Sequence, residues 1–170
     1  MGAMSWAQDW LGLGDSNEAR APAPAALDNA RFGYSPELIG NLKDDHADLL
    51  RRHGELEQLA VKGQYGAIPM ALSGFKNKFD LHILHENLQF YCHVEERLAR
   101  RAAELAVVRE FRTEMNALAR GVVNFVKKYR AEGVRQQNRD AFLVELRSVG
   151  GLLGQRVDRE EKSLYPLYAP

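Results

Sequence analysis

The chain has 170 residues, with 23 Lys plus Arg against 23 Asp plus Glu, so it carries no formal net charge. That length fits one ordinary domain with a real core. Zero net charge removes the positive excess that nucleic acids and anionic membranes reward, and no apolar run approaches the roughly 20 residues needed to span a bilayer.

Cys92 is the only cysteine, which excludes an internal disulfide and points to a reducing compartment. The N-terminus has no basic region followed by an apolar stretch, which argues against secretion. A cytoplasmic protein is expected, with no nucleic acid and no membrane among its partners.

Residues 1–34 read as an N-terminal arm. MSWAQDWLGLG is followed by the Ala/Pro stretch EARAPAPAALDNA, which behaves as a semi-extended linker. Trp6, Trp10, Leu11 and Leu13 suit a short amphipathic turn that either covers the following domain or docks on a partner. From 35 to 170 the pattern is helical almost throughout. Ser35-Pro36-Glu37 is a start signal, a capping serine with proline at the first helical position. The stripe Leu38, Leu42, His46, Leu49, His53, Leu56, Ala60 then recurs every three or four residues and ends at Lys62-Gly63.

A second helix is predicted from about Pro69, with Leu72, Phe75, Phe79, His82, Glu86, Phe90 and His93 on one face. A third carries Phe111, Met115, Leu118, Val122, Phe125 and Tyr129 and stops near Gly133. A fourth carries Phe142, Leu146, Val149, Leu153, Arg156, Glu160 and Leu164 and closes near Pro166. Gly150-Gly151 interrupts the fourth helix and Gly121 falls in the third; both are expected to permit close helix packing. Four helices with mostly short connections predict an all-α, antiparallel up-down-up-down bundle.

The polar residues on these inward stripes are the candidate site. His82 and Glu86 are four apart and project from adjacent turns of one face. His46 lies about 16 residues before Lys62 and His82 about 13 after Pro69. At about 1.5 Å per residue the two histidines come level in an antiparallel hairpin. Glu160 lies at the pole where the first helix begins and reaches the same layer. Two imidazoles and two carboxylates facing one another suit iron, manganese or zinc. Arg156 sits on the same stripe as Glu160, and a buried guanidinium requires paired acceptors.

Asp45-His46, His82 with Glu86, and Glu160-Glu161-Lys162-Ser163-Leu164-Tyr165-Pro166 resemble the hemerythrin (HHE cation-binding) family. The family's pattern is DH, then HxxxE, then a third-helix histidine, then HxxxEExxLFP, and the resemblance covers most of 36–168. It implies a metal centre in which the histidines of the first two helices hold one iron and two carboxylates bridge to a second. Arg156 stands where the family has its fourth-helix histidine, and no histidine follows His93. The inward positions of the third helix hold Met115, Leu118, Ala119 and Val122. A diiron site and family-type oxygen carriage are therefore not expected.

Two readings stay open. One ion is held by His46, His82, Glu86 and Glu160, with Arg156 as a supporting partner at the place of the second metal. Alternatively no ion binds, and these residues form a self-satisfied polar network. The segment from Leu146 to Glu161, with its LGxxLxxRxxxED-like pattern, is also similar to the last helix of the regulator-of-sigma-D (Rsd/AlgQ) family. That similarity implies a metal-free bundle binding a sigma factor.

The other polar residues read more plainly. His53 and His93 suit seam positions, His85 the surface, and Glu161 is rotated about 100° from Glu160. Glu95-Glu96 and Arg97 to Arg101 suit a solvated face. Tyr129, Tyr165 and Tyr168 suit packing, and Cys92 a small core position. No nucleophile turn, phosphate loop or CxxC supports an enzyme. The expectation is a non-enzymatic, hemerythrin-like regulatory protein. It binds at most one metal ion and senses a metal, redox state or diatomic ligand. The alternative is the metal-free, protein-binding regulator.

Overall fold

The computed structural model describes residues 34–169. All but Tyr34 of the expected N-terminal arm, including Trp6 and Trp10, lies outside the described residues. Helix α1 spans Leu38–Val61. Helix α2 runs without a break through Ile68–His85, a π-helical stretch Glu86–Tyr91, and Cys92–Arg97. Helix α3 spans Ala102–Glu132. Helix α4 spans Arg139–Arg159, continues as a π-helical stretch Glu160–Leu164, and ends in a 3-10 turn Tyr165–Leu167. α1 packs on α2 and α4, and α3 packs on the same two helices, so the four close into a bundle.

The stripes explain the packing. On α1, Leu38, Leu42, His46, Leu49, Leu56 and Ala60 are buried, the face the three-or-four spacing marks out. Gly63 and Gly133 follow α1 and α3 with φ of 71° and 70°, a backbone region that costs glycine little. The start of α1 differs from expectation. Ser35 offers its backbone carbonyl to the Leu38 N–H at 3.2 Å rather than a side-chain cap, and the helix begins at Leu38, two residues after Pro36.

The glycines differ as well. α4 runs straight through Gly150-Gly151, and only Gly150 serves close packing. A Cβ there would lie 2.4 Å from the His53 ring, whose Nε2 pairs with the Leu146 carbonyl at 2.7 Å across the α1–α4 seam. Gly121 and Gly151 have open space around them.

The core is divided. One apolar cluster includes Leu49, Leu56, Phe75, Phe79, Met115, Val122, Phe142 and Leu153. The other includes Leu38, Leu42, Phe90, Val94, Phe111, Leu164 and Tyr165. Between them lies a polar layer. His46 separates Leu42 from Leu49, His82 and Glu86 separate Phe79 from Phe90, and Arg156 and Glu160 separate Leu153 from Leu164. On α3 Phe111 belongs to one cluster and Met115 to the other, with Glu114 between them reaching Arg156. The buried polar residues of the described chain are His46, His82, Glu86, Asn87, Arg156 and Glu160; all but Asn87, whose amide donates to the Ile83 carbonyl of its own helix, make up this layer. Burying five polar groups in one stratum costs stability unless each is paired, so the layer marks the site.

Candidate metal centre

Three of the expected ligands come together. His46, His82 and Glu160 each offer one ligand atom, and these atoms lie within 4.8 Å of one another. Atoms sharing one ion at about 2.0–2.2 Å are at most about 4.4 Å apart, so a bound ion requires only a small contraction. Glu86, the fourth expected ligand, is 0 % exposed in the same layer but outside that close group of three. The centroids of the His46 and His82 rings are 4.7 Å apart.

Each histidine has a carboxylate behind it. His46 Nδ1 pairs with Glu161 Oε1 at 2.9 Å, which leaves Nε2 turned inward, 3.2 Å from Glu160 Oε2. Asp45 Oδ2 faces His82 Nδ1 at 3.7 Å, too long for a hydrogen bond, and the Lys78 ammonium holds its other oxygen. Carboxylates behind ring nitrogens fix tautomer and orientation for metal-binding histidines. Burial pushes the Asp45 carboxyl up, but facing His82 and Lys78 outweigh that and hold it at about 2.

Arg156 closes one side. It is 5 % exposed, donates through Nε to Glu160 Oε1 and through Nη2 to the Tyr91 hydroxyl at 3.0 Å. Its Nη1 reaches Glu114 Oε2 at 3.4 Å, and its guanidinium lies 4.8 Å from the centroid of Phe111. The α3 residues facing Arg156 are therefore Phe111 and Glu114. Glu160 is fully committed: Oε1 to Arg156, Oε2 to the His46 side.

Glu86 is the exception. Neither carboxylate oxygen has a hydrogen-bond partner, and neither does His82 Nδ1. Tyr165 comes near Glu86 without hydrogen-bond geometry. Arg156, which the sequence allows to face Glu86, spends its donors elsewhere. Buried carboxylates without partners are rare because the group loses its water and gains nothing. Burial and the neighbouring Glu160 carboxylate push the Glu86 carboxyl well up, holding it toward its neutral form. Burial lowers His82 and keeps it neutral. His46 is raised, because Glu160 and Glu161 outweigh its burial. Glu160 is lowered, its burial outweighed by His46 and Arg156. His46 and Glu86 are thus the two groups in the layer that their surroundings push toward holding a proton. A divalent ion displacing one from each would leave the buried net charge unchanged. The donor set fits a metal.

Residues 37–168 match the family model of the hemerythrin HHE cation binding domain. The chain belongs to that family. No curated protein and no solved structure matches it. In this hemerythrin-like bundle the helical hydrogen bonding changes from α to π at Glu86 and again at Glu160. π turns insert an extra residue and recur at functional sites. Here they bring pairs of consecutive residues inside, Phe90 with Tyr91 and Leu164 with Tyr165, all buried.

Those turns account for the residues that periodicity missed. Tyr91 is off the 3.6-residue stripe yet holds Arg156. Tyr165 is buried with its hydroxyl 3.2 Å from His46 Nε2. Glu161, off the stripe as expected, still reaches His46 from the rim. The acidic doublet Glu160-Glu161 was the one sequence signal for it. Seam roles for His53 and His93 hold; His93 Nε2 meets the Ala169 carbonyl at 3.1 Å. His85 is exposed as expected. Cys92 is exposed rather than a core residue, because the π turn shifts it outward. Glu95 leaves the solvated face to pair with Arg112 at 2.9 Å.

Proposed function

We propose that this hemerythrin-like protein is a regulatory metal sensor that holds one ion with His46, His82, Glu86 and Glu160. The observation that carries the reading is Glu86. A fully buried carboxylate with both oxygens unpartnered, beside two histidines and a second carboxylate, has the chemistry of a ligand awaiting a cation. The one-ion limit rests on Arg156. Its bond to Glu160 Oε1 takes the oxygen that a bridge to a second metal needs, and the α3 carboxylate facing it, Glu114, is already held by Arg156 and Arg159. Iron is the favoured occupant, with manganese or zinc suited to the same nitrogen and oxygen donors.

An ion held this way supplies a one-electron couple or an open position for a diatomic ligand. The protein's part is to orient the His46 imidazole through Glu161, to set the Asp45 carboxylate facing His82, and to keep a fixed positive charge beside Glu160. A change at the ion then alters helix packing and an outer surface in a cytoplasmic, non-enzymatic regulator. The metal-free alternative, a bundle that binds a sigma factor or another regulator, draws support from the Arg156 cluster. That cluster satisfies its own donors through Glu160, Tyr91 and Glu114. It leaves Glu86 unexplained.

The test is elemental analysis of purified protein beside a His46→Ala/His82→Ala double variant. One iron, manganese or zinc per chain, lost in the variant, is the expected result. No metal in either protein after loading with iron or manganese overturns the reading and moves the search to a protein partner, sigma factors first.

A further inference from the structure

Tyr165 belongs to the polar layer by its hydroxyl. That oxygen lies 3.2 Å from His46 Nε2, and Glu160 Oε2 lies 3.2 Å from the same nitrogen. Adjacent ligands on one ion at about 2.0–2.2 Å are separated by roughly 3 Å. Both oxygens therefore stand at ligand spacing from the inner nitrogen of His46. The phenol ring is fixed, stacked on His46 with centroids 5.6 Å apart and planes within 8°, and tilted against Phe90 at 5.3 Å. Tyr91, the other phenol of the layer, accepts from Arg156 at 3.0 Å and is engaged on the far side of Glu160.

We propose that Tyr165 is a further ligand of the ion, bound as phenolate when the metal is ferric. This rests on the one-ion reading above. As the bond forms, the phenolic proton leaves to solvent and an oxygen lone pair takes its place on iron(III); the cation's charge makes ionisation of a buried phenol favourable. A hard, anionic oxygen favours ferric over ferrous iron, so Tyr165 biases the centre toward its oxidised form. Were an external one-electron reductant to convert the ion to its ferrous form, the weakened iron–oxygen bond would break and the phenolate would take a proton back from solvent. The 3-10 turn that carries Tyr165 is followed directly by Tyr168, whose hydroxyl accepts the Ser35 backbone N–H at 2.8 Å. Phe90 touches both rings. A redox change at the ion thereby reaches the residues that lead into α1.

The experiment loads the full chain with ferrous iron without oxygen, then oxidises it with ferricyanide. Ferricyanide takes one electron per iron and is removed before spectra are recorded. Wild type should show a visible phenolate-to-iron charge-transfer band and phenolate modes in the resonance Raman spectrum. Tyr165→Phe should lose both with its iron content unchanged, and Tyr91→Phe should keep both. A stoichiometric ferric protein without the band overturns the Tyr165 assignment and leaves the one-ion reading standing. A band that survives in Tyr165→Phe also overturns it. No iron in wild type overturns the one-ion reading itself. If Tyr165→Phe holds no iron, the wild-type Raman spectrum decides: phenolate modes that persist in Tyr91→Phe support the assignment, and their absence sinks it.

Discussion

Replacing Glu86 with methionine separates a metal ligand from a structural polar group. The side chains are similar in length, so the swap keeps most of the packing. In wild type without an ion, both Glu86 oxygens are buried and unpartnered. Such a group costs about 1–3 kcal/mol. Removing it should therefore stabilise the metal-free protein by about that amount. At roughly 2–4 °C per kcal/mol for a domain of this size, the melting temperature rises by roughly 2–12 °C. The pH dependence has a definite sign. The folded carboxyl is raised above its usual value of 4.5, so metal-free wild type loses stability as pH climbs from there through the folded value. The variant lacks that slope, and its advantage grows with pH. With iron, manganese or zinc added the order reverses. Wild type gains by mass action, and the variant, short of one ligand, gains less. Thermal unfolding with chelator and with each metal reads both halves. A Glu86→Met protein that is less stable than wild type under chelator would refute the reasoning, because Glu86 would then be supporting the fold.

Four further outcomes follow from particular contacts. Arg156→Met leaves Glu160 Oε1 and the Tyr91 hydroxyl without their donor, so the chelated protein should lose about 3–5 kcal/mol in denaturant unfolding. Arg156→His frees the same oxygen and adds an imidazole, so titration should show tighter ion binding than wild type, and no gain counts against arginine standing in for a metal. Proton release on metal binding, read by calorimetry in buffers of different ionisation enthalpy, should be positive. His46 and Glu86 are both raised, so affinity should climb about tenfold per pH unit for each proton displaced. A pH-independent affinity would place the ion elsewhere. Gly150→Ala should destabilise by about 1–3 kcal/mol through its clash with His53, whereas Gly151→Ala, with open space around it, should stabilise by about 0.5–1 kcal/mol; equal effects would dismiss the seam argument.

The sequence by itself determined the four helices and most of the buried ligands. Both follow from a local rule: a residue every three or four positions faces the same side, so His46, His82, Glu86, Arg156 and Glu160 are assigned inward by the leucines and phenylalanines around them. The order of histidines and glutamates also carried the family resemblance. What periodicity could not supply was any departure from the α-helical period. Two π turns brought Tyr91 and Tyr165 inside and moved Cys92 out, and no residue type near them announces the extra residue. Pairing was likewise beyond the sequence. The spacing allowed Arg156 to face Glu160 or Glu86, and only the packed bundle directed it to Glu160, Tyr91 and Glu114. That choice leaves Glu86 buried without a partner. Hydrogen bonds depend on distances of a few tenths of an ångström between helices far apart in the chain, and those distances are set by how four faces pack together.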